Sequence, residues 1–426
     1  MGCAQTTSPT GLRLENPALA ESVYQDTVQR VHSQAQLPAS DNGFASISSL
    51  CDDRFWDSGS AELTAFTALE PRANLEPPQL VGDFRKHAGQ AAQDVARFET
   101  LLPRLEEANS KARCSYGFDL NWNPLDGTLP QHTSRFLRVL VRGLRTAGRY
   151  HEWKGNPQIA ADRYLLALEL SNKWMKSGPF VNRVTAASCQ DQAALSLLHL
   201  LSESRFPAAY YRRLGKRLET LPESLDDLNH GADESYVMGV NCLTRLQSGE
   251  LTAEQLESYW SSLSLVLEPD QHSLLRNGAH LAEEKTLFQN IYLANRPFSL
   301  QLEAPPESLQ SQHETQKARS QAFLLDIFPC AGYTASFRSC LTHLSALRLL
   351  VALQGYREER KEYPPRLQAL LPEFLGQLPL NRMSPDGAFG YRLAGKSFIL
   401  DSVSDRYTKV PGCQREMSYF PLSFKI

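Results

Sequence analysis

The sequence predicts a mainly α protein of stacked helical hairpins, partly tetratricopeptide-like, with a small C-terminal α+β segment containing an antiparallel β-hairpin. Three observations predict it. Apolar residues recur at helical spacing over most of the 426 residues. Asn-Pro, Thr and Gly stand where such helices would start and stop. Near the end "FGYRL" alternates and "SFILDSVSD" carries β-branched and aromatic residues, as strands do. The expected organisation is a flexible tether over 1–17, a helical-hairpin domain over 18–320, and a helix plus β-hairpin segment over 321–426.

Composition narrows the function classes. Hydrophobic residues make up 42% and charged residues 21%, enough for a large core. A net charge of −3 argues against an electrostatic nucleic-acid binder. No apolar run reaches the roughly 18 residues of a membrane span. The richest run, Leu344 to Tyr356, contains Arg348 and reads as a core helix.

The elements follow in order. "MGCAQTTS" opens a polar tail that suits a tether. Gly2 and Thr6 fit a myristoylation pattern with Cys3 available for a palmitate. The same letters fit a processed bacterial lipoprotein with diacylglycerol on Cys3, or an unmodified tail. A helix then starts at Asn16-Pro17, with Leu19, Val23, Val28 and Val31 at helical spacing. The proline-bearing "ALEPRANLEPPQ" connects it to one helical pattern from about Leu80 to Ala112. Cys114 to Gln131 is turn-rich and is expected to carry Phe118 and Trp122 into the core.

From a cap at Thr133 the helices lengthen, one ending at Gly155 and the next running from Asn156-Pro157 to Gly178. Two more follow, the second ending before Pro222. Gly148, Ala160, Tyr164 and Ala167 have the small-small-aromatic-small spacing of a tetratricopeptide repeat, although a shift of 34 residues finds little else. Further helices are expected over "LTAEQLESYWSSLSLVLEP" and "HLAEEKTLFQNIYLANRPF", and a kinked pair around Pro329.

"GYRLAGKS", Gly390 to Ser397, fits the phosphate-loop spacing G-x-x-x-x-G-K-[ST]. A phosphate loop needs a helix after its lysine, and here "SFILDSVSD" reads as a strand. Gly395-Lys396 is therefore expected at a hairpin tip, and neither nucleotide nor cofactor is assigned.

The segment holding that hairpin resembles the C-terminal part of the major pseudopilins of type II secretion. The likeness lies in Tyr363-Pro364, Leu367, Leu370, Pro379, the Gly390-Tyr391 strand, and Ser402 to Asp405. More loosely, residues 95–405 resemble a group of mainly helical bacterial envelope proteins. Asn381 stands where the pseudopilins would have an Asp, and about 340 residues precede the helix that they carry first. Neither calcium binding nor polymerisation is carried over. The resemblance implies a periplasmic, envelope-associated protein and favours Cys3 as a lipid-attachment residue.

Other constellations carry less. "DDLNHGADES", Asp226 to Ser235, gathers three Asp, one Glu and one His, and reads as a solvated connector. "HETQK" lacks the second His of a zinc-protease helix, and no G-x-S-x-G elbow occurs. Cys330 and Cys340 could pair or stay as buried thiols. Trp153, Tyr164, Trp174, Tyr210, Tyr211 and Trp260 read as packing residues. No catalytic, cofactor or metal residue is nominated. The expected function is a non-enzymatic, lipid-tethered scaffold or protein-interaction module of the bacterial envelope, with a helical enzyme or small-ligand-binding protein as the alternative.

Overall fold

The computed structural model describes residues 13–35, 38–50, 60–73, 75, 77–111, 114, 120, 130–176, 178, 180–221, 226–255, 276–294, 296, 331–384, 386–401 and 423–425. Within them the protein is mainly helical, with one small antiparallel sheet near the C-terminus. The first helices are α1 (Pro17–Ala35), α2 (Phe44–Ile47), α3 (Ala61–Thr67) and α4 (Glu70–Ala73). Then come α5 (Pro77–Lys86), α6 (Ala88–Glu99) and α7 (Leu102–Ser110). The sequence pattern predicts one helix where these last three stand. His87 leaves the helical region at φ −124°, and in one continuous helix Pro103 would clash with the carbonyl four residues back, at Glu99. Those two residues cut the pattern without disturbing its apolar face.

The long helices are α8 (Pro130–Trp153), α9 (Pro157–Trp174), α10 (Phe180–Glu203) and α11 (Ala208–Glu219). Gly148 on α8 is required by packing, because a Cβ there would lie 2.3 Å from the Tyr164 ring on α9. Helix α10 returns beside α8 and runs in the same direction. Arg138 meets Thr185, and seven residues later Arg145 meets Gln192. Helices α12 (Asp226–Ser248), α13 (Gly278–Ala294) and α14 (Ala331–Arg360) follow.

One apolar core runs from Phe66 and Phe98 through Phe136, Tyr164 and Trp174 to Leu347, Phe398 and Leu400. A second joins Val23, Val31, Tyr236, Phe288, Tyr292 and Phe337. Helix α14 spans both, with Phe337 and Cys340 in the second and Leu344 onward in the first. Arg348, which interrupts its apolar run, donates from Nε and Nη2 to the Leu218 carbonyl at 3.2 and 3.1 Å. The guanidinium thus helps to satisfy a helix C-terminus.

Strands β1 (Gly390–Ala394), β2 (Ser397–Asp401) and β3 (Ser423–Lys425) lie antiparallel in that order. Ala394 pairs with Ser397, so Gly395 and Lys396 are the two turn residues, and Gly395 has φ +67°. A first turn residue at positive φ favours Gly, as the primed hairpin turns require. Lys396 is followed at once by β2, not by a helix, and the hairpin reading stands. Tyr391 donates to the Pro364 carbonyl at 2.7 Å, tying the sheet to the turn after α14. Among the described residues, no helix is long and apolar enough to cross a membrane.

Candidate functional site

The acidic segment Asp226 to Ser235 is not a connector. It is the first part of α12, and Asp233, Glu234 and Ser235 are buried. Cations from three other helices or their ends compensate the two acids. Arg183 of α10 donates to Glu234 Oε2 at 2.9 Å. Arg296, just past α13, grips Asp233 through Nε at 3.0 Å and Nη2 at 2.9 Å. Tyr292 also donates to Asp233. Arg30 of α1 lies 3.9 Å from Asp233 and 3.7 Å from Glu234. Burial pushes the Glu234 carboxyl up, opposed by Arg183 and Arg30. Arg183 also donates to the carbonyls of Gly178 at 2.7 Å and Met175 at 3.1 Å, closing the end of α9. Gly231 makes room for it, since a Cβ there would sit 2.3 Å from its Cδ. The chemistry of this cluster is that of a joint holding α1, α10, α12 and α13 together.

A second polar set lies between α10 and α14. His343 Nδ1 meets Asp191 Oδ1, and Cys340 donates to Gln190 Oε1 at 3.4 Å. His343 and Cys340 are both buried, so neither is placed to meet a substrate from solvent. Cys340 is a free thiol, and Cys330 lies outside the described residues. The same holds for Cys3, Phe118, Trp122, Trp260, Pro329 and His313. Tyr164, Trp174, Tyr210 and Tyr211 are core residues, and Trp153 packs against that core. Among the described residues no group of three or more His, Cys, Asp or Glu side chains could hold a metal ion.

A third feature has the geometry of a binding surface. From Ser134 to Tyr150, α8 is buried at every position except 135, 138, 142, 145 and 149. Each of those five is arginine. Their 3-4-3-4 spacing confines them to about 80° of the helix circumference and strings them over about 21 Å. Arg135 and Arg138 are exposed, while Arg142, Arg145 and Arg149 are half-buried. The partners that α10 supplies are neutral: Thr185 for Arg138 at 3.2 Å, and Gln192 and Ser196 for Arg145 at 2.7 and 3.0 Å. Arg149 has a carboxylate among the described residues, Glu152 at 2.7 Å, and Arg135 has a partner too. Arg142 forms neither an ion pair nor a hydrogen bond there.

The stripe is electrostatically crowded. Like charges three or four residues apart on a helix cost a few tenths of a kcal/mol per pair. Burial holds the Arg145 guanidinium below its ordinary pKa, and Arg149 and Arg142 push the same way. Cys189 lies beneath, close enough to feel Arg138, Arg142 and Arg145, yet burial pushes its thiol up to about 12. Sequence reading missed this site. Its signal is arginine at 135, 138, 142, 145 and 149, a plain helical stripe. Comparison with protein-family models, with curated proteins and with solved structures finds no match.

Proposed function

We propose that this protein is a non-enzymatic scaffold of the bacterial cell envelope. On this reading it is tethered by a lipid on Cys3 at the periplasmic face of a membrane and offers its helical body to a protein partner. The pseudopilin-like likeness of the C-terminal segment and the "MGC" start motivate the location. The close approach of Gly148 and Tyr164, with α8 and α10 running in the same direction, suits partly tetratricopeptide-like stacking.

The observation that carries the reading is the disposition of charge. Asp233 and Glu234 are closed off by guanidiniums inside the fold, as a joint requires. The open face of α8 instead presents Arg138, Arg142 and Arg145, for which the described residues supply no carboxylate. Charge kept at a cost to the fold fits a partner that completes it.

Detergent-phase partitioning of the protein from its native envelope, together with cross-linking, tests the proposal. The wild type is expected in the detergent phase, Cys3→Ser in the aqueous phase, and a cross-linked protein adduct with the wild type. A wild type that stays aqueous and yields no adduct would contradict it.

A further inference from the structure

We infer that the arginine stripe of α8 is the docking site for an acidic helix of a protein partner, one carrying carboxylates every three or four residues. The inference rests on the scaffold reading and adds the chemistry of the partner. Its basis is the match between the shape of the positive surface and the shape of the anion that would cover it.

The cations are strung in a line, not gathered round a point. A single phosphate calls for converging donors, whereas Arg138, Arg142 and Arg145, strung along one helix without a carboxylate among the described residues, call for a linear polyanion. A partner helix repeats its own 3-4 spacing at the same rise, so each carboxylate can meet a successive arginine. An extended strand presents same-face side chains about 6.7 Å apart, and two such steps overrun the roughly 10.5 Å from Arg138 to Arg145 by about 3 Å.

Depth also selects the partner. The stripe sinks from exposed Arg135 and Arg138 to half-buried Arg142, Arg145 and Arg149. The flat surface of a membrane would reach its shallow end only. Slender Glu and Asp side chains can reach the recessed guanidiniums, as a helix laid in a groove allows. Thr185, Gln192 and Ser196 line the wall facing Arg138 and Arg145 with neutral groups, so no fixed acid there repels the incoming carboxylates. The overall charge of −3 repels the dense phosphate backbone of a nucleic acid more than a helix carrying a few carboxylates.

The test is fluorescence anisotropy with the full-length protein and a labelled helical peptide bearing glutamates at 3-4 spacing along one face. Its comparison is an isomer of the same composition with the glutamates spread round the helix. Single-stranded DNA and anionic phospholipid vesicles supply the other polyanions. The striped peptide is expected to bind at least tenfold more tightly than its isomer and more tightly than DNA or vesicles, weakening as salt rises. Arg142→Glu should lower that affinity tenfold or more, while Arg366→Glu, the same charge change at an exposed position after α14, should leave it within twofold. If Arg142→Glu does not fold, Arg142→Ala reads the same loss as a drop of at least threefold. Equal binding of the two peptides, no binding, tighter DNA or vesicle binding, or equal effects at Arg142 and Arg366 would overturn the inference. Those results leave the Cys3-dependent partitioning and the envelope adduct untouched, so the scaffold reading fails or stands separately.

Discussion

Arg183 shows how one side chain can organise a junction. It bonds the α9 terminus through Met175 and Gly178, reaches Glu234, and fits only because residue 231 has no side chain. Removing one partner of such a buried pair leaves the other charged and uncompensated, at about 3–5 kcal/mol. Arg183→Met is therefore expected to destabilise the protein by up to about that amount in urea unfolding, with Glu234 left to the more distant Arg30 at 3.7 Å. Restoring much of the loss with Arg183→Met/Glu234→Gln would confirm the pairing, because the neutral amide avoids the buried charge.

At the scale of elements, the β-hairpin was legible because strand alternation and turn chemistry agree at Gly395-Lys396. Helix α9 was legible for the same kind of reason, with Pro157 in its first turn. Helix α12 was not. Its opening acids look solvated, and the cations that bury them lie 51 residues away at Arg183 and 63 at Arg296. The arginine stripe was half legible: its spacing is in the sequence, but the burial of every other face of α8 depends on helices folded around it.

Helix α13 offers a titration of its own. Burial, with Glu283 adding to it, pushes the Glu284 carboxyl up from 4.5 to about 7, and Oε1 lies 3.4 Å from His280 Nε2. An acid with a raised folded pKa holds its proton more tightly in the folded state. Its contribution is most favourable below about 4.5 and is lost as pH rises toward 7. Glu284→Gln should therefore raise the denaturation midpoint more at pH 8 than at pH 5. Equal shifts at both pH values would contradict the assignment.

Among the described residues, two arrangements of charge serve different ends. One closes joints between helices, as Glu169 does when both its oxygens accept from Arg217 of α11 at 2.8 and 2.7 Å. The other stands along the open side of α8. Helix α14 links the two apolar cores, so the helical body and the C-terminal sheet share a common spine. A stable body of this kind can tolerate a locally unfavourable surface, and function is the usual reason for one.

The thermal unfolding of Arg142→Ala reads that division most directly. If the stripe exists for something outside the chain, alanine relieves like-charge crowding and adds helix propensity, leaving the midpoint unchanged or raised. A fall equivalent to more than about 1 kcal/mol would mean that the fold itself needs this guanidinium, and the binding surface would have to be sought elsewhere.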